Sequence, residues 1–340
     1  MKVKVIAEAG VNHNGEIEIA HELIKESKKA GANAVKFQTF TADQLTTCDA
    51  AKADYQINEN KEETQHNMLS RLELSEDNHI ALKKHCEELG IEFMSTAFGK
   101  KELDILIKCG IRTIKVASGE ITNKPLLEYM AQMAAKQELS VLISTGMSDL
   151  NDIENALGIF IGANISKNDI TIMHCTSSYP APSNELNMNA LKLLEEKFKC
   201  PIGYSDHSVG IEAAICATSI GASVIEKHIT LDKTMVGPDH SASLDPEEFK
   251  KMVRSIRKYE DMLGIQKKEV QESEMNTKSV ARRSIRASNY IKKGDVLKED
   301  DLVYLRPADG LSPMLYRQVI GKKADKDYKI NEAIDSKIFE

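Results

Sequence analysis

The sequence predicts a (β/α)8 barrel followed by a small C-terminal domain. Eight short segments rich in Val, Ile, Phe and Thr alternate with helical stretches over about 260 of the 340 residues. Most of these segments are apolar on both faces, which is typical of parallel strands covered on both sides. Eight such repeats fit a closed barrel. A doubly wound open sheet is the alternative, but no GxGxxG turn follows the first strand.

Strands and helices alternate in order along the chain. The predicted strands are Val3–Ala9, Ala34–Thr39, Glu92–Thr96, Thr113–Ala117, Ser140–Ser144, Ile170–Cys175, Ile202–Ser205 and Ser223–His228. The predicted helices are Glu18–Ala30, Glu76–Leu89, Asp149–Phe160, Ala190–Phe198, Val209–Ile220 and Pro246–Leu263. Glycines at 31, 90 and 221 follow three of these helices, as is usual at helix C-termini, and Gly110 precedes the fourth strand.

Two stretches of the chain depart from the alternation of strands and helices. Thr41–Arg71 is polar and shows no hydrophobic period, so it predicts a long loop of the functional or mobile kind. The charged stretch Gln266–Lys278 predicts a linker, and the short strands Ser284–Ala287 and Val303–Leu305 predict a separate small domain. The expected organisation is a barrel over residues 1–265, a linker over 266–280 and a small domain over 281–340.

Composition excludes several classes of function. A formal net charge of −7 and a pI near 5.8 argue against a general nucleic-acid binder. No segment is long and apolar enough for a membrane helix, and the first residues enter a strand pattern without a signal peptide. The six cysteines form no CxxC pair, which favours free thiols. We therefore expect a cytoplasmic enzyme or binding protein with neither nucleic acid nor membrane as partner.

Two histidines indicate a metal site. His207 and His228 follow or end consecutive predicted strands, and neutral imidazole is a common ligand of divalent metals. Neighbouring parallel strands place their C-terminal ends side by side, so both rings should lie in one small space. A single strand-end histidine would mean little. The pair predicts a metal-centred site.

The other strand ends carry groups suited to binding an anion. Lys36 and Lys115 supply positive charge, while hydroxyls and backbone N–H groups supply directional donors. Taken singly, such residues have ordinary structural explanations. His13 could simply shape a loop, and His174 and Cys175 are typical of packed core positions. The repetition over eight strand ends predicts a phosphate or carboxylate site.

The motifs resemble those of the sialic acid synthases, along the whole chain and in order. They are AEAGVNHNG at Ala7–Gly15, KFQTF at Lys36–Phe40, STAF at Ser95–Phe98, KVASGE at Lys115–Glu120, STGM at Ser144–Met147, YSDHS at Tyr204–Ser208 and EKHITLDKTMVGPDHSAS at Glu226–Ser243. The tail is similar to the antifreeze-like (SAF) domain of that family, through IKKGDVL at Ile291–Leu297 and LRPADG at Leu305–Gly310.

The resemblance implies an N-acetylneuraminate synthase, which condenses phosphoenolpyruvate with N-acetylmannosamine and releases phosphate. It implies a divalent metal held by His207 and His228, usually Mn2+ with Mg2+ or Co2+ as alternatives, and Glu8 as the group that orients the aldehyde or moves a proton. Phosphoenolpyruvate would be bound by Lys36, Thr96, Lys115, Ser118, Ser144 and Ser205. The sugar would be contacted by Gln38, Tyr179, Asp239 and Arg306.

The resemblance also implies a domain-swapped homodimer, in which Arg306 enters the partner subunit's active site. Two points depart from the family pattern or leave it open. Ser177 stands where sialic acid synthases often have Asn, and either Gln65 or Asn67 could reach the sugar from the long loop.

Three other functions remain open at this point. Within the family, an N,N'-diacetyllegionaminate or other nonulosonate synthase would differ only in the sugar pocket. A metal-dependent aldolase that cleaves a sugar to pyruvate would not need the two lysines of a phosphate site. A sugar- or metal-binding module would need neither the histidine pair nor those lysines.

Overall fold

The computed structural model describes residues 2–53, 56 and 63–340. The chain divides into two compact units, Met1–Gly264 and Ile265–Glu340. The first is a closed barrel of eight parallel strands in sequential order, and the second contains a two-stranded antiparallel sheet. This confirms the predicted fold class. In the described residues, no helix has both the length and the apolar character needed to cross a bilayer.

The barrel strands lie close to their predicted positions. They are β1 (Lys4–Gly10), β2 (Ala34–Thr39), β3 (Glu92–Ala97), β4 (Thr113–Val116), β5 (Ser140–Ser144), β6 (Ile170–His174), β7 (Ile202–Asp206) and β8 (Val224–His228). The ends differ from the prediction by at most one residue. β1 pairs with both β2 and β8, and these pairings close the barrel.

Ten helices within the described residues of the first unit connect the strands or follow them. They are α1 (Ile17–Lys29), α2 (Ala42–Leu45), α3 (Gln65–Ser70), α4 (Glu76–Leu89), α5 (Lys100–Lys108), α6 (Lys124–Gln137), α7 (Leu150–Gly162), α8 (Ala190–Phe198), α9 (Glu212–Ile220) and α10 (Pro246–Leu263). The sequence analysis did not identify α5 and α6. It also began α9 three residues early, because Gly210 adopts a positive φ of 81° and Val209 is exposed.

The stretch Thr41–Arg71, expected to be a long polar loop, contains two short helices. α2 and α3 both lie within it, and Met68 of α3 is buried in an apolar cluster with Val11, Phe40 and Leu72. The cluster forms because the loop packs against the turns that follow β1 and β2, a contact that local hydrophobic spacing does not reveal. Residues 54, 55 and 57–62 of the predicted loop lie outside the described residues.

Apolar side chains fill the barrel interior on the N-terminal side of the polar residues that line its mouth. A buried cluster takes one residue from each of six strands: Ile6, Ala34, Met94, Leu142, Met173 and Val224. Successive side chains of a strand point to opposite faces, so the next inward residue of each strand lies two positions further along. Five of those six positions carry a polar or charged residue, namely Glu8, Lys36, Thr96, Ser144 and Glu226, and the sixth is Cys175. The apolar cluster therefore lies directly beneath these residues inside the barrel, and we call it the apolar floor.

The second unit has its own apolar core. It contains α11 (Met275–Ala281), β9 (Ser284–Ala287), β10 (Leu302–Leu305) and α12 (Tyr316–Val319), with β9 and β10 antiparallel. Ile285, Tyr328 and Ile334 are fully buried in it. The stretch predicted as a linker is helical in its last part, where α11 begins, and α11 belongs to the second unit.

Candidate active site

Alternate residues of each strand point into the barrel, and this alternation places the polar side chains of the site on its inner face. On β2, Ala34 belongs to the apolar floor, and Lys36 and then Gln38 follow on the same face. On β8, Val224 belongs to the floor, followed by Glu226 and His228 in the same manner. The C-terminal ends of the eight strands thus present polar side chains to one mouth of the barrel, where barrel enzymes carry their active sites.

A cavity of about 540 Å³ occupies this mouth. Most of the site residues expected from the sequence line it: Glu8, Lys36, Gln38, Thr96, Lys115, Ser118, Ser144, Tyr179, Ser205, His207 and His228. Asp239 and Arg306 are not among its lining residues. The structure therefore brings together eleven of the thirteen predicted residues around one space.

The two histidines face each other across the edge of this cavity. Their ring centroids are 5.7 Å apart with the planes at 63°. The Nδ1 atom of His207 lies 2.7 Å from the carbonyl oxygen of Thr176, which orients the ring and leaves Nε2 towards the cavity. The buried Nδ1 atom of His228 has no hydrogen-bond partner within the described residues.

Burial keeps both imidazoles neutral. It lowers the pKa of His207 to about 4, against the opposing hydrogen bond to Thr176, and it lowers the pKa of His228 well below its usual value with help from His207. Neutral imidazoles are the form that binds a divalent metal. In the described part of the chain no group of three His, Cys, Asp or Glu side chains is arranged around a metal position. The two neutral rings and the unpartnered Nδ1 atom of His228 are nitrogen donors of the kind that a divalent cation accepts.

Two lysines and two glutamates form a buried charged network beside the histidines. Lys36 lies 2.6 Å from Glu8 and 3.7 Å from Glu226, and Lys115 lies 2.9 Å from Glu226. All four side chains are at most 6% exposed. Glu226 was not among the site residues predicted from the sequence. Its position two residues before His228 could have identified it, since that spacing puts both side chains on the inner face of β8.

The pKa values of the two carboxyl groups in this network shift in opposite directions. Burial raises the pKa of Glu8 to about 7, with repulsion from Glu226 adding to it and Lys36 opposing it. Burial acts the same way on Glu226, but Lys115 and Lys36 outweigh it and lower the pKa of that carboxyl far below its usual value. Two carboxyls of unequal acidity in one cleft are typical of sites that move protons. Glu8 is the one that can change protonation near neutral pH.

Hydroxyl groups surround the lysines. Thr96 Oγ1 accepts a hydrogen bond of 3.0 Å from Lys36, and Ser205 Oγ donates one of 3.0 Å to Glu226. Ser118 Oγ accepts from the backbone N–H of Gly146 at 3.0 Å. Ser144 Oγ is buried and has no hydrogen-bond partner in the described residues. The polar residues above the apolar floor thus include two cations and at least one hydroxyl without a partner in the described residues, and these are donors suited to an anion.

Comparison with known proteins identifies the family. The NeuB family model matches residues 23–268, and the SAF domain model matches residues 282–335. The chain belongs to the NeuB family. It is 44% identical to the N,N'-diacetyllegionaminic acid synthase of Legionella pneumophila, covering 94% of this chain and 89% of that protein. The synthase of the same name from Campylobacter jejuni is 42% identical, covering 98% and 99%.

A solved structure supports the same placement within the NeuB family. It is the N-acetylneuraminic acid (sialic acid) synthetase of Leptospira borgpetersenii, crystallised in complex with citrate. That chain is 35% identical, superimposes with a TM-score of 0.71, and the match covers 82% of this chain and 90% of that one. The predicted resemblance is confirmed, and the protein is a C–C bond-forming transferase of the nonulosonic acid synthase class.

The residues expected to contact sugar in this NeuB-family chain take different positions. Tyr179 lies over the metal-ligand candidates, with its ring centroid 4.1 Å from that of His207 and its hydroxyl 3.2 Å from His207 Nε2. Gln38 Nε2 lies 3.3 Å from Glu8 Oε1. Asp239 is buried, 3.7 Å from His228 Nδ1, and burial raises its pKa to about 6. Asp239 thus contacts a histidine and does not line the cavity.

The structure also places the residues that the sequence left open, and Arg306. Gln65 lines the cavity whereas Asn67 is exposed and does not, so the long loop presents the former to the site. Ser177 also lines the cavity and lies against Gly146, where an added Cβ would come within 2.1 Å of its hydroxyl. Arg306 is an exposed residue of the second unit, directly after β10.

Proposed function

We propose that this enzyme condenses phosphoenolpyruvate with a 2,4-diacetamido hexose to give N,N'-diacetyllegionaminate and phosphate. The observation that carries the proposal is the neutral pair His207 and His228 beside the buried lysines Lys36 and Lys115. The two synthases of that name, at 44% and 42% identity, favour this sugar over the N-acetylmannosamine expected from the sequence.

Lys36 and Lys115 bind the phosphate and carboxylate of phosphoenolpyruvate in this proposal. Each already lies against a carboxylate, so an entering anion competes with Glu8 and Glu226 for the same ammonium groups. The hydroxyls of Ser144, Ser118 and Thr96 add directional donors around the phosphate. A binding protein for neutral sugars would have no use for these cations, and an aldolase that forms pyruvate would not need a phosphate site.

His207 and His228 would hold the divalent metal, with Mn2+ as the proposed ion and Mg2+ or Co2+ as alternatives. When bound, such an ion acts as a Lewis acid towards a carbonyl oxygen. The carbonyl of Thr176 fixes the orientation of the His207 ring. Burial lowers the pKa of both histidines, so their ring nitrogens are unprotonated near neutral pH and free to bind a metal. The aldehyde of the sugar is thereby placed beside the lysine-bound phosphoenolpyruvate.

The reaction forms a carbon–carbon bond and a C2–oxygen bond from water, and it breaks the C2–oxygen bond to phosphate. The double-bond electrons of phosphoenolpyruvate attack the aldehyde carbon, and water adds at C2 with loss of one proton. Phosphate then leaves by C–O cleavage as the new C2 hydroxyl gives up its proton to become the ketone. The new alkoxide requires a proton, and Glu8 can supply it because its pKa of about 7 keeps the acid form populated at neutral pH. Gln38, within 3.3 Å of Glu8, fixes the orientation of that carboxyl.

The proposal includes a homodimer in which Arg306 acts in the partner's active site. Arg306 is exposed directly after β10, and within the described residues of its own chain no carboxylate forms an ion pair with it. A guanidinium is suited to the carbonyl oxygen of an N-acyl group through its fixed fork of N–H donors.

A substrate panel tests the function. The purified protein is incubated with phosphoenolpyruvate, Mn2+ and one aldehyde at a time, either N-acetylmannosamine or the 2,4-diacetamido hexose, and phosphate release is followed. We expect kcat/KM at least tenfold higher for the diacetamido sugar. Equal or greater efficiency with N-acetylmannosamine overturns the sugar assignment. Absence of phosphate release with both sugars, while a Lys115→Ala variant behaves identically, overturns the condensation itself.

A further inference from the structure

The turn after β1 contains a buried asparagine that the proposed reaction does not use. Val11–Gly15 follows the strand that carries Glu8 and belongs to the AEAGVNHNG motif. Asn12 in this turn is 1% exposed, and it is not among the residues that line the cavity. Burial of an amide is unfavourable unless its polar atoms form hydrogen bonds. The contacts of the Asn12 side chain therefore indicate its role.

The amide of Asn12 bonds to two distant parts of the chain. Its Nδ2 atom donates to the carbonyl oxygen of Ile229 at 2.8 Å and to the hydroxyl of Ser243 at 2.9 Å. A backbone carbonyl can only accept a hydrogen bond, so the nitrogen of the amide must face Ile229. The Oδ1 atom of Asn12 is buried without a hydrogen-bond partner in the described residues. Within those residues, the two N–H bonds thus hold the side chain.

The first of these bonds lies next to a candidate metal ligand. Ile229 directly follows His228, the last residue of β8. The N–H of Ile229 donates to the carbonyl oxygen of Glu8 at 2.9 Å, and the carbonyl of Ile229 accepts the bond from Asn12. The end of β1 and the turn after it thus bind both polar backbone groups of Ile229. A shift of His228 would stretch or break these bonds.

The second bond reaches Asp239 through a serine. The hydroxyl of Ser243 accepts from Asn12 and donates to the backbone carbonyl of Asp239 at 2.6 Å. The carboxylate of Asp239 lies 3.7 Å from Nδ1 of His228. Residues 229–243 thus form a loop whose two ends bond to the same side chain. Asn12 therefore links the backbone beside His228 to the backbone of Asp239.

A further contact joins the same loop to the turn after β1. The Nδ1 atom of His240 lies 2.7 Å from the hydroxyl of Thr230, and its Nε2 atom lies 3.1 Å from Oδ1 of Asn14. This contact does not involve the Asn12 side chain. Removal of the Asn12 amide should therefore loosen the ends of the loop without detaching the loop from the barrel.

We propose that Asn12 is a positioning residue of the metal site, whose amide fixes His228 and Asp239 relative to each other and to the end of β1. The inference rests on the proposed function, because it takes His207 and His228 as the ligands of the divalent ion. Groups behind a metal ligand orient it, and their loss typically weakens metal binding roughly 10- to 100-fold. Asn12 acts in this way from outside the cavity.

Mn2+ binding in the absence of substrate tests the inference. Wild type and Asn12→Ala are titrated with Mn2+, and the free ion is measured by electron paramagnetic resonance. We expect the Mn2+ dissociation constant to rise about tenfold or more in the variant, because His228 loses its fixed position. The activity of Asn12→Ala should also recover towards that of wild type as the Mn2+ concentration is raised. An unchanged dissociation constant overturns the inference.

Asn33 provides a matched control near the opposite end of β1. Its Oδ1 atom accepts from the N–H of Val5 at 2.8 Å and from Arg257 at 2.9 Å, so Asn33→Ala also removes two long-range hydrogen bonds of an asparagine. This variant should lower the free energy of unfolding in urea and leave Mn2+ binding unchanged. An equal loss of Mn2+ affinity in Asn33→Ala and Asn12→Ala indicates general loosening of the barrel and overturns the role of Asn12.

A second variant decides the question if Asn12→Ala does not fold. Ser243→Ala removes one of the two acceptors of Asn12 and the bond to Asp239, while the bond from Asn12 to Ile229 remains. We expect this variant to fold and to bind Mn2+ more weakly than wild type. In that case, unchanged Mn2+ binding by Ser243→Ala overturns the inference.

The inference and the proposed function fail in different ways. Equal Mn2+ binding by wild type and His207→Ala overturns the proposed metal site, and the role of Asn12 falls with it. Mn2+ binding that depends on His207 and not on Asn12 leaves the metal site standing and overturns the inference alone. If the substrate panel favours N-acetylmannosamine, the assigned sugar is wrong, but the Asn12 test is unaffected because the titration contains no sugar.

Discussion

The charge states at the barrel mouth are decided residue by residue by burial and by the nearest opposite charge. His207 is neutral because water is excluded from it, and Glu226 is ionised because Lys115 and Lys36 outweigh the same desolvation. Glu8 lies between these extremes with a pKa of about 7. One cavity thus contains a neutral imidazole, an ionised carboxylate and a carboxyl group that changes protonation near neutral pH.

His207 should make the fold sensitive to acid. Its folded-state pKa of about 4 is below the usual 6.5, so the unfolded chain binds more protons between these values and stability is lost as pH falls through that range. One such group contributes a slope of about 1.4 kcal/mol per pH unit. We expect urea unfolding of metal-free wild type to show a steeper loss from pH 6.5 to 4.5 than His207→Gln does.

Glu8 acts with the opposite sign in that experiment, since its raised pKa costs stability as pH rises from about 4.5 to about 7. It is present in both proteins, so the difference between them isolates His207. Identical slopes in wild type and His207→Gln would show that this histidine is not held neutral by the fold.

At the scale of the element, a second buried ion pair holds β7 and β8 together on their outer faces. Asp206 pairs with Lys227 across the two strands, the two side chains are fully buried, and their charged atoms lie 2.9 Å apart. Asp206 Oδ1 also accepts hydrogen bonds from the N–H and hydroxyl of Ser208, and Lys227 donates to the Ser208 carbonyl. The pair therefore fixes the turn that begins at His207.

Breaking this pair from one side should destabilise the barrel strongly. Lys227→Met leaves the Asp206 carboxylate buried without its cation, which costs about 3–5 kcal/mol. The double variant Asp206→Asn/Lys227→Met removes both charges and should recover part of that loss in urea unfolding. Lys25→Met, which breaks the exposed pair with Glu22, serves as control and should cost under about 1 kcal/mol. A double variant as unstable as the single one contradicts this account.

The elements themselves were predictable where local pattern and burial agree. β2 and β5 and the helices α4, α8 and α10 begin and end where the sequence places them. The helices α5 and α6 were missed. Leu103 and Leu106 of α5 are buried against the barrel, but charged residues dilute the apolar spacing within its nine residues. α2 and α3 were missed because a few apolar residues in a polar stretch become a core only when they meet the turns after β1 and β2.

At the scale of the whole molecule, the proposed dimer can be tested by complementation. His207→Ala and Arg306→Ala should each abolish most activity as homodimers. If Arg306 acts in the partner's site, mixed dimers contain one intact site, and subunit exchange should restore activity in about a quarter of all sites. Phosphate release after mixing the two variants, unfolded and refolded together or co-expressed, is the measurement.

A matched mixture provides the control for subunit exchange. His207→Ala combined with Lys115→Ala changes two residues of the same barrel, so each mixed dimer has two damaged sites and no recovery is expected. Recovery in both mixtures, or in neither, contradicts the placement of Arg306 in a partner's site. Full activity of a chain that ends before Arg282 would do the same.

By itself the sequence determined the barrel, its strand order and the strand ends that face one mouth. Those features depend on the period-two alternation and on short apolar segments, which are local. It also placed both histidines and both lysines in that mouth, since parallel strands bring equivalent ends together.

Only the tertiary structure decided how these groups interact. The ion pair of Lys115 with Glu226 joins residues 111 positions apart, and the contact of Lys36 with Thr96 spans 60 positions. The neutrality of the histidines, the unequal acidity of Glu8 and Glu226 and the position of Asp239 outside the cavity lining all follow from such distant contacts. Charge state and cavity shape depend on distance through space and on exclusion of water, and neither quantity is encoded in local residue spacing.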